Sequence, residues 1–145
     1  MIAVRKIATF ALFMLAACSA GDPDAPTVPG RWYTQSRVDA GQMLYEANCV
    51  ECHGLDGSAT EEWRTPDANG KYPPPPLNGT AHTWHHSLAM LNYTIENGGA
   101  EFDGMMPGFA GVLDHDQRLS IIAYLQAWWP DDIYAQWVEI DARGG

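Results

Sequence analysis

The chain has 145 residues, which is enough for one compact domain with terminal extensions. Its 18 acidic residues against 8 basic ones give a formal net charge of -10, so it lacks the clustered Lys and Arg that binding to nucleic acid requires. With 46% hydrophobic and 18% charged residues the composition is that of a folded protein, and three cysteines are too few for a framework of several disulfides.

The first 17 residues have the pattern of an export signal. Arg5 and Lys6 precede an apolar run, residues 7–17, that is shorter than the roughly 20 residues needed to span a bilayer. The run ends in Leu15-Ala16-Ala17-Cys18, which resembles the lipobox of bacterial lipoproteins, so we expect cleavage before Cys18 and lipidation of its sulfur. Ordinary cleavage after Ala20, which would discard Cys18, is the alternative.

Residues 18–35 are expected to form a lipidated N-terminus and a tether. The segment is rich in proline and acidic residues and shows no apolar periodicity. Anchored through Cys18, the protein would lie in the cell envelope on the periplasmic side, and by resemblance Ser19 after the cysteine favours the outer membrane of a diderm. Loss of Arg5 and Lys6 with the signal would leave 6 basic and 18 acidic residues, a net charge of -12.

Two helices and one loop are predicted in the first part of the mature chain. Ser36 and Asp39 form a possible capping box for a helix from about Val38 to Asn48. Residues 73–76 are four prolines, which lack amide donors and therefore predict a loop. Ser87 is the expected N-cap of the second helix, which Gly98-Gly99 ends.

Two further helices are predicted towards the C-terminus. Asp114 and Gln117 begin the strongest one, whose apolar face continues until Pro130 stops it. The last is short and starts at Asp131, and its apolar residues recur at helical spacing: Ile133, Trp137 and Ile140. No strand pattern competes with these helices.

The segment Cys49-Val50-Glu51-Cys52-His53 has the attachment signature of a c-type haem. The two cysteines lie about one helical turn apart, so their sulfurs can reach two neighbouring vinyl groups, and His53 offers an imidazole to the iron. A thioredoxin-like redox pair would follow a strand, and a zinc site would need further ligands, commonly a second Cys or His pair. Here the motif follows a predicted helix and no second cysteine pair exists, so we expect one covalent haem c.

Over residues 36–129 the chain resembles a class I monohaem cytochrome c. The residues that carry this resemblance are Gly41, Leu44, Tyr45 and Cys49 to Gly54 at the first helix and attachment site, Pro75, Leu77 and Gly79 in a proline loop, Met106-Pro107 in a distal methionine loop, and Ile122 to Leu125 in the last family helix. The family implies an all-α fold whose helices wrap one covalently attached haem. We therefore assign residues 36–130 to a cytochrome c domain and residues 131–145 to a short C-terminal helix and tail. Gly41 would let two helices approach closely, with Tyr45 packing near Tyr124.

Departures from the family pattern are the run of four prolines, the acidic insertion Glu61-Glu62-Trp63 and the tail after Pro130. They affect the surface and the choice of partner rather than haem binding.

The resemblance implies that His53 and Met106 are the two iron ligands, with Pro75 beside His53. Because Pro107 pushes Met106 into an extended conformation, Met105 should face away from the iron. Core packing is the expected role of the other methionines, Met43, Met90 and Met105. The histidines His82, His85, His86 and His115 leave bis-histidine ligation open as an alternative. Trp84 is a candidate donor to a haem propionate.

The resemblance implies a one-electron carrier and not an enzyme. Its haem would cycle between Fe(III) and Fe(II) as it accepts an electron from one redox protein and donates it to another, and its acidic charge favours partners with a basic docking face. In one alternative the sixth ligand is labile and the protein acts as a peroxidase or gas sensor, with His82, His85 or His86 as the acid/base group. In another, Cys49 and Cys52 are free thiols of a metal-handling lipoprotein.

Overall fold

A computed structural model describes residues 25–144 of the protein. The predicted signal, Cys18 and the first part of the tether lie outside these residues. Within them the chain forms five α-helices: α1 (Gln35–Asn48), α2 (Val50–His53), α3 (Leu88–Asn97), α4 (His115–Ala127) and α5 (Asp131–Asp141). Short 3-10 helices lie at Thr83–His85 and Ala100–Phe102. The described part contains no strand, only isolated bridges, which confirms the all-α prediction.

Helix α1 begins earlier than predicted, and its N-cap is Thr34 rather than Ser36. Thr34 has an extended backbone, and its side chain accepts a hydrogen bond from the Arg37 N–H at 3.2 Å. Ser36 already lies inside the first turn, where its hydroxyl contacts that of Thr34 at 2.9 Å. The predicted capping box of Ser36 with Asp39 is therefore wrong, because the chain enters the helix two residues sooner.

The caps predicted for the later helices are confirmed. The Ser87 hydroxyl accepts from the Met90 N–H at 3.3 Å at the start of α3. Asp114 and Gln117 form a complete capping box at α4, with hydrogen bonds of 2.8 and 2.9 Å. Helix α5 begins at Asp131, directly after Pro130, as predicted.

Helices α1 and α4 cross in close contact at Gly41. A Cβ atom on Gly41 would lie 1.9 Å from the Ser120 carbonyl oxygen, so only glycine permits this approach of the two backbones. One turn further along α1, Tyr45 is fully buried, and its ring lies 5.5 Å from that of Tyr124 and 5.3 Å from that of Trp128. These aromatic contacts add to the apolar area that the crossing buries.

The core consists of two buried clusters that share helix α4. We call the first the aliphatic cluster; it contains Tyr45, Ile95, Leu113, Ile121, Ile122 and Leu125. We call the second the aromatic cluster; it contains Tyr33, Val38, Ala123, Trp129, Tyr134 and Trp137. The tail after Pro130 thus supplies two buried rings to the core of the domain, through α5.

Residues 28–34, which the sequence analysis placed in the tether, pack against α4 and α5. The Trp32 indole N–H donates to Gln126 Oε1 at 2.7 Å, and Tyr33 is only 2% exposed. The Arg31 guanidinium lies 3.7 Å over the ring of Tyr134 and 2.6 Å from a carboxylate oxygen of Asp131. This short segment covers one side of the aromatic cluster, and its apolar rings explain why it is held there.

Candidate haem-binding site

The two cysteines of the motif flank a single helical turn. Cys49 ends α1, where its N–H donates to the Tyr45 carbonyl at 2.8 Å, and its own carbonyl accepts from the N–H groups of Cys52 and His53 at 3.2 and 2.9 Å. Both thiols are free, Cys49 half-buried and Cys52 exposed. This geometry presents two thiols about one turn apart on a rigid support, as attachment to neighbouring vinyl groups requires.

The protonation of Cys49 argues against a redox-active pair. Burial, followed by the charge of the neighbouring Cys52, raises the pKa of the Cys49 thiol to about 11. Reactive dithiol pairs have the opposite property, a lowered pKa that supplies a thiolate at neutral pH. Cys49 therefore has the environment of a structural or attachment cysteine.

The His53 ring is held in one orientation by the proline loop. Its Nδ1 lies 3.1 Å from the carbonyl oxygen of Pro75, and because a carbonyl can only accept, Nδ1 carries the proton. The lone pair is then on Nε2, the atom that can bind a metal. His53 is 7% exposed, and this burial lowers its pKa, although the hydrogen bond to Pro75 acts in the other direction. The imidazole is consequently neutral, as an iron ligand must be.

Three contacts that the sequence analysis did not single out fix the proline loop. The Leu77 N–H donates to the Gly57 carbonyl at 2.7 Å, the Thr83 hydroxyl to the Pro76 carbonyl at 2.8 Å, and the Trp129 indole N–H to the Leu77 carbonyl at 2.8 Å. A run of prolines offers carbonyls but no N–H groups, so donors must come from elsewhere. In the sequence, the lack of N–H groups in the proline run was the only indication that donors from other segments would hold this loop.

Met106 lies in a loop that is hydrogen-bonded to the residues at the end of α3. The Gly99 N–H donates to the Met106 carbonyl at 2.9 Å, and the Gly104 N–H to the Gly99 carbonyl at 2.8 Å. A Cβ on Gly98, which has φ +83°, would lie 2.6 Å from the Met106 oxygen. The Met106 side chain packs against the aliphatic cluster, which Cys49 also contacts. The structure thus brings the predicted sixth ligand to the same cluster as the attachment motif.

The other methionines are less suitably placed. Met43 is 67% exposed on α1, and Met105 is 52% exposed beside Met106. Met90 lies in the first turn of α3. Met105 is exposed and Met106 is half-buried, in the order that an extended chain before Pro107 predicts.

The histidines after the proline loop make ring contacts with neighbouring aromatic side chains. Trp63 stacks on His82 with ring centres 4.5 Å apart, and His86 meets His82 edge-on at 5.2 Å. Trp84 lies 3.8 Å from His85 and packs against the aromatic cluster, so its role towards a propionate stays a prediction. Across residues 25–144, no group of three or more His, Cys, Asp or Glu side chains is arranged to hold a metal ion.

The chemistry of the donor set fits a haem group. A neutral imidazole and a thioether are ligands that haem iron takes in electron-transfer cytochromes, and Cys49 and Cys52 supply the two thiols. Of the predicted site residues, the structure gathers Cys49, Cys52, His53 and Pro75 around one turn.

Comparison with known proteins gives the family of the chain. A family model described as cytochrome c oxidase, cbb3-type, subunit III matches residues 36–125. The quinohemoprotein alcohol dehydrogenase of Comamonas testosteroni is 33% identical over 94 residues, which are 65% of this chain and 11% of that protein. The thiosulfate dehydrogenase of Allochromatium vinosum is 51% identical over 39 residues, 27% of this chain and 13% of that protein.

The chain therefore spans only a small part of the length of these relatives. No solved structure matches it. In the described residues, no helix combines the length and the apolar composition needed to cross a membrane. Because the family model matches from the first turn of α1 almost to the end of α4, the chain belongs to this family of class I-like cytochrome c domains, which bind haem and transfer electrons.

Proposed function

We propose that the protein is a one-electron carrier with a single haem c, attached covalently through Cys49 and Cys52 and ligated by His53 and Met106. One observation carries this proposal: the Pro75 carbonyl fixes a buried His53 ring with Nε2 left as the ligand atom. When bound, the haem supplies the Fe(III)/Fe(II) couple. In this proposed role the protein makes and breaks no substrate bond, so it is a carrier and not an enzyme.

The protein's own residues keep the site rigid during electron transfer. The Tyr45 hydroxyl donates to the Gly54 carbonyl at 2.7 Å, which ties the end of the attachment turn to α1. The hydrogen bond from His53 to Pro75 keeps the imidazole in one orientation in both oxidation states. A site that changes little between the two states needs little rearrangement when the electron moves.

Covalent attachment is tested by staining for haem after denaturing electrophoresis. Wild-type protein from a host that matures c-type cytochromes should stain, because only covalently held haem survives denaturation. Replacing Cys49 and Cys52 together with alanine should abolish the stain. Cys18→Ser is the matched control, since it removes a cysteine outside the motif and should leave the stain intact. A soluble, stable and colourless wild-type protein would contradict the proposal.

A labile sixth ligand finds less support in the structure. A peroxidase would need an acid/base group beside the open iron position. His82 is instead stacked on Trp63 and meets His86 edge-on. The Met106 loop is also held by backbone hydrogen bonds to the end of α3.

We propose that redox partners dock with a basic face near the distal loop. Phe102 and Met105 are half-exposed there, and Glu101 provides negative charge beside them. The Tyr93 hydroxyl donates to Glu101 at 2.9 Å, which orients that carboxylate. An apolar centre with a charged border suits brief encounters between redox proteins.

Electron transfer to the physiological partner should therefore slow as salt is added. Opposite charges accelerate the encounter, and at 0.1 M salt the Debye length falls to about 10 Å. Stopped-flow rates measured between low and moderate ionic strength check this expectation. Rates that stay constant or rise with salt would point to an apolar or like-charged docking face.

We also propose that Cys18 anchors the protein to a membrane on the periplasmic side of the cell envelope. The proposal is supported by Leu15-Ala16-Ala17-Cys18 at the end of the apolar run. Cys18→Ser should move the haem-stained protein from the membrane fraction to the soluble fraction without changing its absorption spectrum. Wild-type protein recovered without lipid, beginning at Gly21, would show that ordinary cleavage prevails.

A further inference from the structure

Tyr72 joins the loop that holds His53 to the loop that holds Met106. The Tyr72 N–H donates to the Asp103 carbonyl at 2.8 Å, and the Met105 N–H donates to the Tyr72 carbonyl at 3.3 Å. The two segments form an isolated parallel bridge between Tyr72 and Gly104. Lys71 adds an ion pair to Asp103 at 3.3 Å. We call these contacts the Tyr72 bridge.

The Tyr72 bridge is connected to the His53 side of the site through the run of four prolines. Tyr72 is followed directly by Pro73 to Pro76, and Pro75 is the acceptor for His53. Each proline ring locks its φ angle, so a run of four behaves as a stiff spacer. The position of Tyr72 is therefore set by the same loop that orients His53.

The chain before Tyr72 is also fixed. The Asp67 N–H donates to the Lys71 carbonyl at 2.8 Å, and the Asp67 carboxylate accepts from the N–H groups of Asn69 and Lys71 at 2.8 and 2.9 Å. These bonds close a tight turn, and the turn places Tyr72 beside the distal loop. Further back, Trp63 stacks on His82. The segment from Trp63 to Tyr72 is thus attached at both ends.

On the distal side the bridge meets a residue in an unfavourable conformation. Asp103 has φ +56°, in the left-handed region that non-glycine residues rarely adopt. Such a conformation persists only where its surroundings maintain it. The Asp103 carbonyl accepts from Tyr72 and its carboxylate pairs with Lys71, so the bridge supplies that support.

We propose that the Tyr72 backbone is a positioning element for Met106: the bridge keeps the distal loop closed and so keeps the thioether on the iron. The inference rests on the proposed function, in which Met106 is the sixth ligand. Met106 follows Met105 directly, and Met105 is bonded to Tyr72. Opening of the bridge would remove the two bonds that hold Asp103 and Met105 to the segment before the prolines, and the bonds to Gly99 would then be the remaining restraint on this part of the loop.

The test compares Tyr72→Pro with Tyr72→Ala in the full-length, haem-loaded protein. Both variants lose the ring, but only the proline removes the N–H that donates to Asp103. Imidazole, a competing ligand for ferric iron, should bind Tyr72→Pro about three- to tenfold more tightly than Tyr72→Ala, the effect expected from one lost hydrogen bond. Ala68→Pro is the control for a proline in this segment, because Ala68 holds the second position of the Asp67–Gly70 turn, which favours proline. It should bind imidazole as the wild type does.

The outcomes separate this inference from the proposed function. If ferric wild-type protein lacks the far-red band of a sulfur–iron bond, Met106 is not the ligand and the proposed function fails with the inference. If the band is present and the two Tyr72 variants bind imidazole equally, the bridge alone is refuted.

Hydrogen exchange on the wild-type protein covers the case in which Tyr72→Pro does not fold. The amides of Tyr72 and Met105 should exchange together, at least about tenfold slower than in an unfolded chain, because one opening of the bridge exposes both. A Tyr72 amide that exchanges freely while Met105 is protected would overturn the inference.

Discussion

Replacing Met106 with alanine is expected to abolish the far-red charge-transfer band of the ferric protein and to lower its reduction potential by on the order of 0.1 V or more, within the roughly 0.8 V range that axial ligands set. A thioether favours ferrous iron, so its loss stabilises the ferric state. The variant should also bind imidazole or cyanide readily. Absorption spectroscopy and a redox titration measure these effects.

Met105→Leu is the matched control for this change. Met105 is exposed next to Met106, and leucine has nearly the same volume. The band, the potential and the resistance to added ligands should all be preserved. The reverse pattern, with Met105 required and Met106 dispensable, would mean that the distal loop is assigned one residue out of register.

Gly41→Ala is expected to destabilise the fold by about 3 kcal/mol, the upper part of the range for overpacking. The new methyl would lie 1.9 Å from the Ser120 carbonyl and 2.9 Å from the Tyr124 Cβ, so α1 and α4 must separate. Denaturant unfolding of the haem-loaded protein should show a lower midpoint with an unchanged slope. Haem staining should persist in protein that folds, because the attachment motif is intact.

Gly111→Ala provides the comparison, because a Cβ at Gly111 meets nothing within 4 Å. Its free energy of unfolding should stay within about 0.5 kcal/mol of the wild type. Equal stability of the two variants would show that the crossing of α1 and α4 relaxes easily, and that the close approach at Gly41 is not required.

The sequence was informative where one local pattern determines the structure. Asp114 with Gln117 and Ser87 with its helix are caps formed within four residues, and the structure confirms them. The spacing of Cys49, Cys52 and His53 likewise predicts a single turn, whatever surrounds it. The family match confirms the all-α fold class that the resemblance to class I cytochromes c implied.

The sequence was less informative where the deciding contact is distant along the chain. Thr34 and Ser36 are both good caps, and the choice depends on how Trp32 and Tyr33 pack against α4 and the aromatic cluster. Tyr72 carries no local signal for its bridge, because the partners are backbone atoms about thirty residues away. The periodicity of α5 predicted an apolar face, but not that Tyr134 would stack under Arg31.

The place where the chain joins the domain decides where a mechanical force on its N-terminus would act. From Ala25 onwards, the first strong attachments are Arg31 to α5 and Trp32 to α4. A pull would reach these contacts before it reached α1, and the cysteines lie a whole helix further on. Strain from the surroundings would therefore load α5 and α4 through these two contacts before it reached the attachment motif. We expect the absorption spectrum of the haem to be the same in an anchored and in a released domain.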